Sequence, residues 1–147
     1  MSEESVSSTS LPFVLDLLRH DLEATIGYRL SVLPRPAVFD QDVDSVWLVG
    51  RARSRTGVLA TTGLSTVELI LQVAEHVQDF VQEEMAVVSG SNWPECPIHP
   101  GTHPAQPKDV GGVATWTCPR VGASIAPIGT LQRVPVEGNR ASPEPGR

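Results

Sequence analysis

From Ser65 to Val88 the chain runs without a glycine or a proline, and this stretch constrains the fold more than any other. Ser65-x-x-Glu68 has the form of a capping box, in which the serine hydroxyl and the glutamate carboxylate each take one backbone N–H at the helix start. At 100° per residue, Val67, Leu69, Ile70, Leu71, Val73, Ala74, Val77, Phe80, Val81 and Met85 spread over roughly 200° of the wheel, where a surface helix needs a stripe of little more than about 100°. One layer does not cover such an arc. The spacing predicts a helix wedged between two layers of its own domain, or one whose shoulder meets a second copy of the chain as a homodimer.

A first helix is expected from Ser10 or Thr9, as cap, to about Ala24, with Pro12 tolerated in the first turn. Leu11, Phe13, Val14, Leu15, Leu17, Leu18 and Leu22 form its broad apolar side, and Asp16, Arg19 and Glu23 its polar side. After Gly27 the period falls to two. Tyr28, Leu30 and Val32 alternate with Arg29 and Ser31 as in a half-buried strand, and Pro34 and Pro36 end it. Val46-Trp47-Leu48-Val49 and Val58 to Thr62 read as two more strands joined by a hairpin through Arg51, Arg53, Arg55 and Gly57.

The fold class expected is therefore α+β: two amphipathic helices packed on a small antiparallel sheet, followed by a C-terminal knuckle and hairpin. Residues 1–9 read as a flexible tail, 10–90 as the α+β domain, 91–131 as a separate metal-holding module and 132–147 as a disordered tail rich in Pro, Gly, Arg and Glu. At 147 residues there is room for one domain with a substantial core. A net charge of -6 opposes docking on a phosphate backbone. The start carries no basic, apolar leader, and no segment approaches the roughly 20 apolar residues of a membrane span. A cytoplasmic setting is expected, where cysteines are more often reduced or metal-bound than paired.

The chemistry sits near the C-terminus. Cys96-Pro97-Ile98-His99 spaces two metal-ligand types by two residues, with a proline suited to the tight turn that aims both at one ion. His103 follows inside Pro100-Gly-Thr-His-Pro104, and Cys118, before Pro119, ends an expected strand from Val113. Together Cys96, His99, His103 and Cys118 make a Cys2His2 set of the kind that binds zinc tetrahedrally without water. Residues 104–117 read as a short, turn-rich connection, and so small a unit has too few apolar groups to fold without its metal. Two other readings stay open: buried cysteines beside surface histidines, or a Cys96–Cys118 disulfide. Glu95, Asp109 or His76 could replace His103 as the fourth ligand.

Trp93-Pro-Glu-Cys96-Pro-Ile-His99-Pro, His103-Pro, Trp116-Thr-Cys118-Pro and Ile125-Ala-Pro-Ile-Gly129 together resemble the tail of small uncharacterised actinobacterial proteins. In those proteins a long helix precedes a module similar to a zinc ribbon lacking one ligand. The resemblance covers roughly residues 73–131 and implies a shared module, with no activity attached to it.

Other motifs are weaker. Arg51, Arg53 and Arg55 alternate and would share one strand face, a possible phosphate contact or simply a solvated edge that discourages association. Asp40-x-Asp42-x-Asp44 fails as a calcium loop, with Ser45 at the sixth position and Arg51 at the twelfth. Pro94-Glu95-Cys96 lacks the paired motifs of the zinc deaminases. The expectation is a zinc-stabilised interaction or adaptor protein, with Trp93 and Trp116 as partner anchors. The alternatives are a nucleic-acid-binding regulator using the arginine hairpin and a metal-dependent hydrolase with Glu95 as base.

Overall fold

The computed structural model describes residues 10–34, 43–50, 55–61, 63–88 and 92–132. Residues 1–9 and 133–147 of the two expected tails, with Asp40, Asp42, Arg51 and Arg53, lie outside the described residues. The elements run α1 (Leu11–Thr25), β1 (Ser31–Pro34), β2 (Val43–Val49), β3 (Arg55–Thr61), α2 (Thr66–Val88), β4 (Gln106–Val110), β5 (Val113–Thr117) and β6 (Ser124–Pro127). They form an α+β fold with two three-stranded antiparallel sheets, ordered β1-β2-β3 and β4-β5-β6.

Both helices start where their caps dictate. The Ser10 hydroxyl accepts the Phe13 N–H, with Pro12 in the first turn. Ser65 and Glu68 bond reciprocally: Ser65 N–H to Glu68 Oε1 at 2.9 Å, Glu68 N–H to Ser65 Oγ at 3.1 Å. Leu69, Ile70, Val73, Ala74, Val77, Gln78, Phe80 and Val81 of α2 are buried, an arc of about 180° at 100° per residue. The helix touches α1 and β3, and also β4 and β5. Its wide arc is thus covered within one chain by both sheets.

The first sheet shows the period-two alternation of a half-buried ladder. Leu48, Val58 and Ala60 are buried, while Leu33 and Leu59 point outward at 42% and 44% exposure. On α1 the buried set is narrower than the sequence pattern suggested. Leu11, Val14, Leu15, Leu18 and Leu22 are interior, whereas Phe13 is half exposed.

Two expectations are corrected here. The stretch 104–117 is no mere connection: it holds edge strand β4 and a two-residue turn in which Gly111 and Gly112 take φ of 59° and 88°. Positive φ at both centres is what a hairpin turn with native twist requires. Pro107 masks the strand in sequence, yet an edge tolerates it. Second, the C-terminal segment is not coreless. Trp93, Ala105, Ala114, Trp116, Ile128 and Leu131 join the same buried cluster as α1, α2 and the first sheet.

A buried carboxylate fastens this junction. Asp21, within the apolar face of α1, accepts the Trp116 indole N–H at 2.8 Å, the Gly129 N–H at 2.7 Å and the Leu131 N–H at 2.9 Å. Burial pushes its carboxyl above the ordinary value of 3.8, against the pull of those three donors and of nearby His20. With the folded value raised, the folded chain holds that proton more tightly than the unfolded one. The contribution of Asp21 to stability is then full below pH 3.8 and declines as pH rises through the raised value.

Two outcomes are expected. The Asp21 carboxyl carbon, followed by NMR, should titrate with a midpoint above 3.8; a lower midpoint would mean that the donors outweigh desolvation. Gly129 has φ of 101°, and an added Cβ would meet Leu17 at 2.6 Å. Gly129→Ala should therefore cost about 1–3 kcal/mol in denaturant unfolding, through strain and overpacking together.

Candidate metal centre

The four donors expected from sequence meet at one point. His99 Nδ1 lies 3.8 Å from Cys96 Sγ and 3.4 Å from Cys118 Sγ. His103 Nε2 lies 3.2 Å from His99 Nδ1 and 3.9 Å from Cys118 Sγ. One donor atom from each residue falls within 4.8 Å of all the others. An ion bound at about 2.3 Å from sulfur and about 2.0–2.1 Å from nitrogen sets tetrahedral edges of about 3.4 Å between nitrogens and about 3.6 Å between nitrogen and sulfur. The side chains are spaced to hold one metal ion.

Local backbone geometry makes this possible. The turn at Cys96 closes through His99 N–H to Cys96 O at 3.2 Å, and Thr102 caps it with its N–H and hydroxyl on His99 O. The Glu95 carboxylate takes the Gly101 N–H at 2.7 Å, where Gly101 has φ of 78°. Cys96 N–H bonds to His103 O and Ala105 N–H to Pro94 O, so the strand leading in is laced to the one leading out. The Cys118 turn is built alike, with Gly122 N–H on Cys118 O at 2.7 Å and Cys118 N–H on Ala123 O at 2.8 Å. Val121 stands where a second ligand of that turn would, and is 62% exposed. His103 makes up the number.

Electrostatics suit a cation. Both cysteines are free and buried, and the two histidines are half-buried. Burial works to raise the Cys118 thiol, but the backbone N–H groups of Val121 and Arg120, the Cys96 thiol and the Arg120 charge outweigh it and hold it below its ordinary value. That favours thiolate, the form a metal takes. His103 Nδ1 lies 2.9 Å from the Pro104 carbonyl, which can only accept, so Nδ1 carries the proton and Nε2 presents its lone pair to the site.

The alternative fourth ligands are not in this cluster. Glu95 is bonded to Gly101, Asp109 Oδ1 takes the Gly112 N–H in the β4–β5 turn, and His76 is exposed on α2.

Trp93 and Trp116, expected as partner anchors, are instead 1% and 0% exposed. Their rings meet edge to face at 5.4 Å between centroids, and their N–H groups are taken by Thr25 and Asp21. Large apolar rings next to a small module are worth more in the shared core than in solvent. Arg55 is exposed at the start of β3, with its guanidinium 5.8 Å from the Trp47 ring centroid, a cation–π distance.

Sequence reading missed Asp21, Thr25, Gln78 and Gln82. Gln78 donates to Trp93 O at 3.3 Å and Ala105 O at 2.6 Å, and Gln82 to Trp93 O at 3.0 Å. A signal existed for two of them: Asp21 and Gln78 each interrupt an apolar helix stripe, a position a polar group occupies only with partners. Among the described residues, no helix is long and apolar enough to cross a membrane. Comparison with known protein families, curated proteins and solved structures finds no match.

Elemental analysis of the purified chain should find about one metal ion per chain. Cys96→Ser, which removes one of the two sulfurs, should lose it, and His103→Ala should retain a weakened site, because both sulfurs and one imidazole remain. Full occupancy in Cys96→Ser would remove the site.

Proposed function

We propose that this chain is a small zinc-stabilised interaction or adaptor protein working in the cytoplasm, with residues 91–131 as a zinc-ribbon-like module. The closure of two cysteine sulfurs and two imidazole nitrogens around one point carries the reading. Sulfur and nitrogen in a tetrahedral array favour zinc over harder ions, which take oxygen ligands. Four protein donors leave no position for substrate or water, and the neighbouring carboxylate, Glu95, is held by Gly101. That opposes a hydrolase. A net charge of -6 opposes a nucleic-acid role, and Arg55 lies against Trp47.

With both tryptophans interior, the docking surface passes to the tips of the two ligand turns. Ile98 and Val121 are 45% and 62% exposed, each in the same turn as a ligand cysteine. A rigid, metal-held pair of aliphatic tips is suited to a protein partner, since little side-chain entropy is lost when it docks.

Tagged wild-type chain should recover a specific protein partner that Ile98→Glu and Val121→Glu both lose while keeping their zinc. Unchanged recovery by both variants would move the docking face elsewhere. Salt-sensitive DNA or RNA binding lost in Arg55→Glu would replace the proposal outright.

A further inference from the structure

The metal ligands come from two stretches of chain: Cys96, His99 and His103 precede β4, and Cys118 follows β5. Something must hold these stretches in register. Each ligand cysteine has a buried tryptophan just before it, Trp93 three residues before Cys96 and Trp116 two residues before Cys118. Both indoles end on the last turns of α1. Trp116 Nε1–H donates to Asp21 Oδ2 at 2.8 Å, and Trp93 Nε1–H to Thr25 Oγ1 at 3.0 Å. Asp21 and Thr25 are four residues apart and so neighbours on one helix face, and the Thr25 hydroxyl is itself bonded to the Asp21 carbonyl.

The same carboxylate reaches the far arm of the hairpin whose turn carries Cys118. Trp116 lies on β5, and Gly129 and Leu131, whose N–H groups also bond to Asp21, follow β6. One buried side chain thus grips both arms. The other ligand loop is held at both ends from α2, by Gln78 on Trp93 O and Ala105 O.

We propose that the C-terminal half of α1 positions the metal centre, with Asp21 and Thr25 as positioning residues that touch no ligand atom. This rests on the metal-centre reading above. An ion binding a site already in register does not have to order the two stretches itself, so its affinity is higher. Linkage is reciprocal: a bound ion tightens the docking of α1 as much as α1 tightens the ion. The two indoles are the physical connection, because a tryptophan buried without a partner for its N–H is costly.

The test uses the full chain and Zn2+, titrated in competition with a chromophoric chelator. Hydrogen bonds to a carboxylate are worth about 10–100-fold, and Asp21→Asn, which disturbs three of them, should weaken Zn2+ binding within that range. Thr25→Val keeps the shape and loses the hydroxyl that accepts from Trp93 and donates to the Asp21 carbonyl; it should weaken binding about 3–10-fold, the factor expected of the lost Trp93 hydrogen bond. Val58→Ala, a cavity in β3, serves as the control for general destabilisation and should leave the affinity unchanged. Removing Zn2+ should speed amide exchange in Leu18–Thr25 more than in β2 and β3. Wild-type affinity in both α1 variants would overturn the proposal, as would equal weakening in Val58→Ala. Should Asp21→Asn not fold, Thr25→Val alone decides. A wild-type chain that takes up no Zn2+ sinks the metal centre itself, a result distinct from a wild type that binds and variants that bind equally well.

Discussion

A helix that is apolar over half its circumference can't rest on one sheet and leave its other flank in water. That constraint on α2 organises the molecule. Buried residues from Leu69 to Val81 face β3, β4, β5 and α1, so both sheets and the other helix are drawn around a single core. Each buried aliphatic side chain contributes on the order of 1.5–3 kcal/mol, and one sheet alone would forfeit much of it. The C-terminal segment, too small for a core of its own, becomes the second cover of α2.

Burying that cover raises a second problem, which polar groups resolve. Trp93 and Trp116 fill the junction, but each brings an N–H that must be satisfied. Asp21, Thr25, Gln78 and Gln82 answer from the helices, and they bond indole or backbone on either side of the ligand turns. The candidate metal site therefore stands on a hydrogen-bonded frame supplied by α1 and α2.

A closed Cys2His2 arrangement is suited to holding shape. Catalysis at a metal needs an open coordination position, and here four protein donors converge. Outward from the two cysteine turns, Ile98 and Val121 stand exposed. The tryptophans were the more obvious anchors from composition, and their burial illustrates the competition. A large ring goes to a partner only when the chain's own interior does not need it.

Much of this was legible in the residues themselves. The capping box at Ser65 and Glu68, the helix periods, the alternation around Leu48 and Val58, and the spacing of Cys96, His99, His103 and Cys118 are local patterns set by backbone geometry and ligand chemistry. Edge strand β4 was hidden because Pro107, Lys108 and Asp109 carry no strand signal, and pairing with β5 overrides propensity. Sequence alone determined which side chains could bind a metal and which faces had to be buried, since both follow from residue type and period. Only the tertiary structure decided what covers α2, that Asp21 holds Trp116, and that the tryptophans face inward. Those outcomes depend on contacts between residues distant in sequence, 95 positions for Asp21 and Trp116 and 68 for Thr25 and Trp93, and no local pattern encodes them.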